Sequence, residues 1–326
     1  MNAKGERVVA GVDLGGTKIQ AVVVGPEGEA LGSARSPTPR TGGPDAVLAA
    51  VVDAVAEACA LAGRSTDELA AIGVGSPGEV DTAAGEVSHA LNLPDWTGSV
   101  PMAERLQRAL GPAAFIGNDV QLATEAEFSI GAAADYDSLL GVFWGTGVGG
   151  GLILAGEPWV GRGSAGEIGH MVVRRGGALC PCGRRGCMEA YAGREAMERR
   201  ARHEVERGAE TSLFRIMEER GRERLTSGVW EQAATEGDDL ALGLLKRAEK
   251  ALAAGIASAV NLLDVEAVVI GGGMGVRFGE RYVSRISARM RTHLFSVDEP
   301  PAIQLASLGE LSGAIGAAQL ASRKAT

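Results

Sequence analysis

Twice in this chain two apolar runs are joined by a glycine turn, and that repetition narrows the folds open to it. Residues 7–13 (RVVAGVD) and 18–24 (KIQAVVV) flank Leu14-Gly15-Gly16-Thr17. Residues 139–147 (LLGVFWGTG) and 148–156 (VGGGLILAG) repeat the pattern, with GTG at 145–147 answering GGT at 15–17. Apolar runs bracketing a glycine turn read as a β-hairpin, and the recurrence implies two similar halves. After the first hairpin the pattern predicts a strand over 30–36, a helix over 45–61 and a strand over 70–75 that ends in the turn Ser76-Pro77-Gly78. An amphipathic helix over 99–110, a strand over 113–119 and a helix over 120–130 follow. After the second hairpin, 189–224 reads as charged and helical, with Arg and Glu on the solvated face. Then come a long Ala/Leu helix over 238–263, a buried strand over 267–270 running into a glycine loop at 271–275, a helix over 279–294, a short strand over 302–306 and a last helix over 313–322. Strands alternating with helices specify an α/β fold. The halves are expected to meet near Gly117–Asp119, giving domains over 1–118 and 119–309.

At 326 residues the chain exceeds what one core usually serves, which agrees with two halves. Only 4% of residues are aromatic, so both cores must be built from Ala, Val, Leu and Ile. The formal charge of −9 argues against nucleic acid as a partner, because phosphate backbones demand a basic footprint. Asp13 interrupts the N-terminal apolar run, which leaves no signal peptide, and no stretch approaches the roughly 20 apolar residues of a membrane span. A cytoplasmic protein is expected.

Three of the four cysteines and one of the four histidines fall within Glu167–Glu189, EIGHMVVRRGGALCPCGRRGCME. His170, Cys180, Cys182 and Cys187 are spaced H-x9-C-x-C-x4-C, a donor set suited to tetrahedral zinc; four protein ligands leave no open position, as in a structural site. Gly183 and Gly186 allow the tight turns such a knuckle needs. The alternative is a cluster of free thiols beside an ordinary surface histidine. A disulfide is disfavoured, since Cys180 and Cys182 are too close to bridge comfortably and nothing else points to secretion.

The pattern GxGxxG occurs at 73–78 and at 145–150, but a dinucleotide site needs strand, turn and then helix. The first is interrupted by Pro77, and the second runs into another strand. A P-loop also fails, because in GVDLGGTK the Thr precedes the Lys. A hairpin turn that exposes backbone N–H groups and a hydroxyl can still cradle an anion, and both hairpins qualify; the competing reading is a mere tight turn. Asp13, at the mouth of the first, could hold magnesium through water. Asn118-Asp119 ends a strand and opens a helix, where both residues are good N-caps; a carboxylate there is also placed to act as a general base.

Taken together, GVDLGGTK, the strand-end GND, GTGVGGG, GEIGH and CPCGRRGCME resemble, in order and approximate spacing across essentially the whole chain, the ROK family of sugar kinases and repressors, and within it the bacterial ATP-dependent glucokinase group. The resemblance implies two actin-like (ribonuclease-H-like) α/β domains with sugar in the cleft between them, the last helix (about 310–326) packing back on the first domain. It implies Asp119 as the base that takes the proton from the sugar 6-hydroxyl. Gly78, Asn92, Asn118, Glu167, His170 and Glu189 are its implied sugar contacts, with Ser76 departing from the family's usual alanine. Asp13, Gly15, Gly16, Thr17 and Lys18 form one implied phosphate loop and Gly145, Thr146 and Gly147 the other, and Gly271, Gly272, Gly273 and Met274 lie beside the adenosine. A sugar offers mostly hydroxyls, so paired acceptors suit it. One ring nitrogen of His170 can ligate zinc while the other bonds a hydroxyl.

The expected activity is transfer of phosphate from ATP, with Mg²⁺, to a hexose at its 6-hydroxyl, glucose first, with zinc as the scaffold of the sugar pocket. N-acetylglucosamine, N-acetylmannosamine, mannose, fructose and allose are the competing acceptors, and polyphosphate a competing donor. The repressors of the family carry a DNA-binding domain before the first strand, whereas here that strand begins at Arg7. A catalytically inert zinc-ribbon interaction protein would not need Asp119 and both glycine turns. A homodimer or homotetramer is implied by the family.

Overall fold

The structure is a computed structural model that describes residues 7–90 and 92–325. Two compact units emerge, one running to Ile130 with Pro158–Ala165 and the residues from Glu310 onward, the other Gly131–Glu157 with Gly166–Gly309.

In the first unit, β1 (Val8–Leu14), β2 (Lys18–Val24) and β3 (Ala30–Pro37) form an antiparallel meander. Helix α1 (Gly43–Leu61) leads to β4 (Leu69–Ser76), the short hairpin β5 (Glu79–Asp81) and β6 (Glu86–Ser88), helix α2 (Met102–Leu110), β7 (Ala113–Asn118) and α3 (Asp119–Ser129). The sheet order is β3-β2-β1-β4-β7, with β4 parallel to both β1 and β7. Alternation along β1 shows why it takes this place. Val8, Ala10, Val12 and Leu14 join a core with Val47, Val51 and Val55 of α1, while Val9 faces the opposite side.

The second unit repeats the arrangement. Strands β8 (Leu139–Trp144) and β9 (Val148–Leu154) make the second hairpin, edged by β10 (Glu157–Pro158). Helices α4 (Glu189–Ala192), α5 (Arg194–Glu206), α6 (Leu213–Glu219), α7 (Ser227–Thr235) and α8 (Asp239–Leu263) precede β11 (Ala267–Gly271), α9 (Gly272–Arg291) and β12 (Ala302–Leu305). The order β10-β9-β8-β11-β12 matches the first sheet, with β11 parallel to β8 and β12. Asp238 caps α8 by accepting from the Ala241 N–H at 2.8 Å. Trp144 is fully buried and stacks on Phe278 of α9 with centroids 5.7 Å apart.

The chain ends in α10 (Ser312–Lys324), which lies in the first unit on the sheet face opposite α1. Its approach is backbone to backbone. A Cβ at Gly73 would fall 1.8 Å from the carbonyl oxygen of Ala317, and one at Gly11 2.0 Å from that of Ala314. Helix α3 packs beside it: a Cβ at Gly316 would lie 1.9 Å from the Leu122 carbonyl, and Arg323 pairs with buried Glu125 at 2.5 Å.

The structure departs from the sequence expectations in three places. Residues 119–130 and 158–165, both assigned by sequence to the second half, fall in the first unit, the former because α3 is held by α10 and β4. The glycine run after β11 is not an open loop: Gly272 begins α9, and Gly279 (φ 59°) kinks it. A Cβ on Gly272, whose φ is +78°, would meet the Trp144 carbonyl oxygen at 2.6 Å, so this close turn needs glycine. The 189–224 stretch also does not keep all its charge on the solvated face, since Arg194 and Glu198 are each only 8% exposed.

Candidate active site

In the first unit the turn between β1 and β2 is closed by the Gly15 N–H donating to the Lys18 carbonyl at 2.9 Å. Thr38 tightens it, its hydroxyl donating to the Gly15 carbonyl at 2.6 Å. Gly16 and Thr17 are exposed at the tip. Gly16 has no room for a side chain, because a Cβ would lie 2.7 Å from the carbonyl oxygen of Asn92. Asn92 therefore sits against this turn, itself exposed. Asp13 lies just inside, beneath the first turn of α10, where a Cβ on Gly313 would lie 2.7 Å from its carboxyl carbon. Burial raises the pKa of that carboxyl, the Lys18 charge opposes the shift and Glu310 adds to it.

Asn118 and Asp119 stand at the C-terminal end of β7, beside Ser76 at the end of β4. Asn118 is the N-cap of α3, its Oδ1 accepting from the N–H groups of Val120 and Gln121 at 3.1 and 3.0 Å. Asp119 Oδ1 accepts from its neighbour Val120 at 2.9 Å. The capping reading therefore belongs to Asn118, and it fixes the half-buried carboxyl of Asp119 at the strand end. Ser76 is fully buried and donates to the Pro77 carbonyl at 3.1 Å. Gly78 (φ +94°) passes so close to β6 that a Cβ would meet the Ser88 carbonyl oxygen at 2.6 Å.

In the second unit the Gly145–Gly147 turn is laced to the chain that follows the cysteines. The Arg194 and Glu195 N–H groups donate to the Gly145 and Thr146 carbonyls, both at 3.1 Å. Trp144 Nε1 donates to the Ala192 carbonyl at 2.6 Å, and Glu189 Oε2 accepts the Val148 N–H at 2.9 Å. The α9 N-terminus abuts the same turn, with Gly273 exposed and the Met274 side chain fully buried.

His170, Cys180, Cys182 and Cys187 bring their ligand atoms within 4.8 Å of one another. His170 Nδ1 is 3.7 Å from Cys180 Sγ, and the Cys182 and Cys187 sulfurs are 3.7 Å apart. A tetrahedron with Zn–S bonds of about 2.3 Å has S···S edges of about 3.8 Å. The four side chains thus fit a zinc ion as they stand. Burial pushes the Cys180 and Cys187 thiols up. At Cys182 burial works the same way but is outweighed by the Arg184 N–H and by hydrogen bonds with the other two sulfurs, which leave its pKa below the usual thiol value. The knuckle is shaped by Gly186 (φ +89°), where a Cβ would strike the Arg174 carbonyl oxygen at 1.8 Å. The second ring nitrogen, Nε2, faces away from the sulfurs, 3.8 Å from Glu167 Oε2. Glu189 joins the knuckle to the glycine turn, its Oε1 lying 3.7 Å from Cys180 Sγ.

The expected residues thus form two assemblies, one on each unit. The first holds Asp13, Gly15–Lys18, Gly78, Asn92, Asn118 and Asp119, and the second holds Gly145–Gly147, Glu167, His170, Glu189 and the start of α9. Arg194, which sequence reasoning passed over, belongs to the second: its Nη2 donates to Thr146 Oγ1 at 3.0 Å. An arginine in a run of charged helix gives no sign in sequence that it is the one turned inward.

The ROK family model matches residues 9–324. The glucokinase of Thermotoga maritima is 32% identical over 271 residues, covering 83% of each chain. The N-acetyl-D-glucosamine kinase of Citrobacter koseri is 31% identical over 325 residues, covering 95% of this chain and 98% of that one. Among solved structures, a ROK family glucokinase from Streptomyces griseus in complex with glucose and AMPPNP superposes with a TM-score of 0.83 at 32% identity, over 97% of this chain and 99% of the other.

Proposed function

The chain belongs to the ROK family and is an ATP-dependent sugar kinase; from that premise we propose that it transfers the γ-phosphoryl group of ATP to the 6-hydroxyl of a hexose, with glucose preferred. The observation that carries the reading is Asp119, a carboxylate fixed at the end of a parallel strand by the capped first turn of α3. In this reading Asp119 accepts the proton of the sugar hydroxyl as its oxygen attacks phosphorus. Such a transfer asks mainly for positioning and charge neutralisation, and both glycine turns offer backbone N–H groups for phosphate oxygens. ATP arrives as its magnesium complex, with Asp13 as the nearby oxygen donor.

Asn92, Asn118 and Gly78 on the first unit, and Glu167, His170 and Glu189 on the second, are the hydroxyl-binding residues of this proposal. Zinc held by His170, Cys180, Cys182 and Cys187 supplies structure and no step of the chemistry. His170 supports this division of labour, because Nδ1 faces the sulfurs while Nε2 remains beside Glu167. A metal on one nitrogen fixes the proton on the other, making Nε2 a donor to a sugar oxygen.

N-acetylglucosamine is the competing acceptor, since a kinase for it is as similar to this chain as a glucokinase is. The test is ADP release from ATP with a panel of hexoses, using zinc-loaded protein. The highest kcat/KM is expected with glucose. A higher value with N-acetylglucosamine would overturn the glucose preference alone, and no turnover with any hexose would overturn the proposal.

A further inference from the structure

We infer that Arg194 is a positioning residue for the second glycine turn, holding Thr146 and placing a fixed positive charge behind it for the phosphates of the nucleotide. The inference rests on the sugar-kinase reading above, and it concerns a residue that neither the motifs nor the cysteine knuckle include. Arg194 opens α5 at the point where the chain crosses the Gly145–Gly147 turn. Its backbone N–H donates to the Gly145 carbonyl at 3.1 Å, its Nη2 to Thr146 Oγ1 at 3.0 Å and its Nη1 to the Leu225 carbonyl at 3.1 Å. One residue thus fixes both the backbone and the hydroxyl of the turn.

The charge is the unusual part. An arginine only 8% exposed is ordinarily held by a carboxylate, yet among the described residues Arg194 makes no ion pair. The two carboxylates near enough to act on it are engaged elsewhere. Glu198 accepts Arg202 Nε and Nη2 at 3.1 and 2.6 Å and the Leu225 N–H at 2.9 Å. Glu195 accepts Arg224 at 2.7 Å. Burial accordingly pulls the Arg194 pKa down, with Glu195 and Glu198 only partly offsetting it, although a guanidinium stays protonated throughout. What this buried cation has beside it is the Thr146 hydroxyl of the glycine turn and the Leu225 carbonyl. A polyanion seated on the exposed side of that turn would supply the missing negative charge, and a nucleotide triphosphate is the polyanion this enzyme uses.

The test compares Arg194→Met, Arg194→Lys, Thr146→Val and the Arg194→Met/Thr146→Val double variant with the unaltered protein, all zinc-loaded. Steady-state kinetics are run over ATP and hexose, and magnesium–ADP binding is measured by calorimetry. Losing a charge-assisted contact predicts that Arg194→Met raises the KM for ATP and the Kd for ADP about tenfold or more. The hexose KM and zinc content stay within twofold of the unaltered protein. Arg194→Lys recovers part of the nucleotide affinity, and the double variant loses little beyond Arg194→Met. Nucleotide affinity within twofold of normal in Arg194→Met would overturn the proposal. So would parallel losses of hexose and nucleotide affinity with a lowered melting temperature and no recovery in Arg194→Lys, the pattern of a purely structural arginine. If the unaltered protein phosphorylates no hexose, the sugar-kinase reading fails on its own, and the ADP calorimetry still decides the role of Arg194.

Discussion

Asp119 and Arg194 mark the two ways a single residue can matter here. Asp119 keeps its place through local geometry: Asn118 caps α3, and the Val120 N–H anchors one carboxyl oxygen. Asp119→Asn preserves that anchor, because an amide oxygen accepts the same hydrogen bond, while it removes the group that takes up a proton. General-base catalysis contributes about 10²–10⁴-fold, so kcat is expected to fall by roughly 10³ with hexose binding kept within a few-fold by calorimetry. Turnover within tenfold of normal would exclude Asp119 as the base. Asp119 is legible in sequence because a carboxylate at the end of an apolar run and the start of a helix is a local pattern. Arg194 is not, because its partners Leu225 and Thr146 lie about 30 to 50 residues away in the chain.

Among the elements, the cysteine knuckle couples sequence to site most directly. Its four candidate donors could be picked out from spacing, and the fold does bring their ligand atoms within 4.8 Å of one another. The same spacing says nothing of what the knuckle is attached to. The Val173 and Arg174 N–H groups both donate to the Gly186 carbonyl, at 2.9 and 3.2 Å, closing the knuckle. Glu189 then reaches from its end to the Val148 N–H of the glycine turn. If zinc holds the knuckle as proposed, its loss frees His170 and, through the Cys180 contact, loosens Glu189. Losing one hydrogen bond to a charged group is worth about 1.5 kcal/mol, roughly tenfold in affinity. Cys182→Ser should therefore bind substoichiometric zinc, lose amide protection over residues 172–187 and weaken glucose binding at least tenfold, while strands β8 and β11 stay protected. Unchanged glucose affinity in a zinc-free variant would show that the knuckle does not shape the pocket. The helix α9 shows where element boundaries escape a sequence reading. A run of glycines suggests loop, but Gly272 is there for a close turn against Trp144, and the helix starts at once.

On the scale of the whole chain, two sheets of the same strand order repeat one plan, and this was foreshadowed by the two glycine hairpins. The plan is completed in the first unit only when the chain returns to it as α10, and the terms of that return lie in glycines whose purpose no pattern reveals. Gly11 and Gly73 sit on neighbouring strands in register, and both face the backbone of α10. They are not turn glycines and leave no periodic signature; what they supply is the absence of a side chain where a helix must lie flat on a sheet. A methyl at Gly73 has no flexible neighbour to displace, since what it meets is the Ala317 carbonyl at 1.8 Å. Overpacking of a fixed core costs about 1–3 kcal/mol, occasionally more, and a rigid backbone neighbour places this site at the upper end. Gly73→Ala is thus expected to lower the stability of the first unit by about 3 kcal/mol, seen as faster amide exchange in β1 and β4 with β8 and β11 unaffected. Gly243→Ala is the contrasting case: that glycine is exposed within α8, and an added methyl would meet nothing within 4 Å, so alanine should stabilise the second unit by up to about 1 kcal/mol through helix propensity alone. Equal effects from the two substitutions would mean that α10 does not rest on the sheet through its glycines, and the closure of the first unit would have to be sought in the side-chain contacts of Val9, Val22 and Ala318 instead.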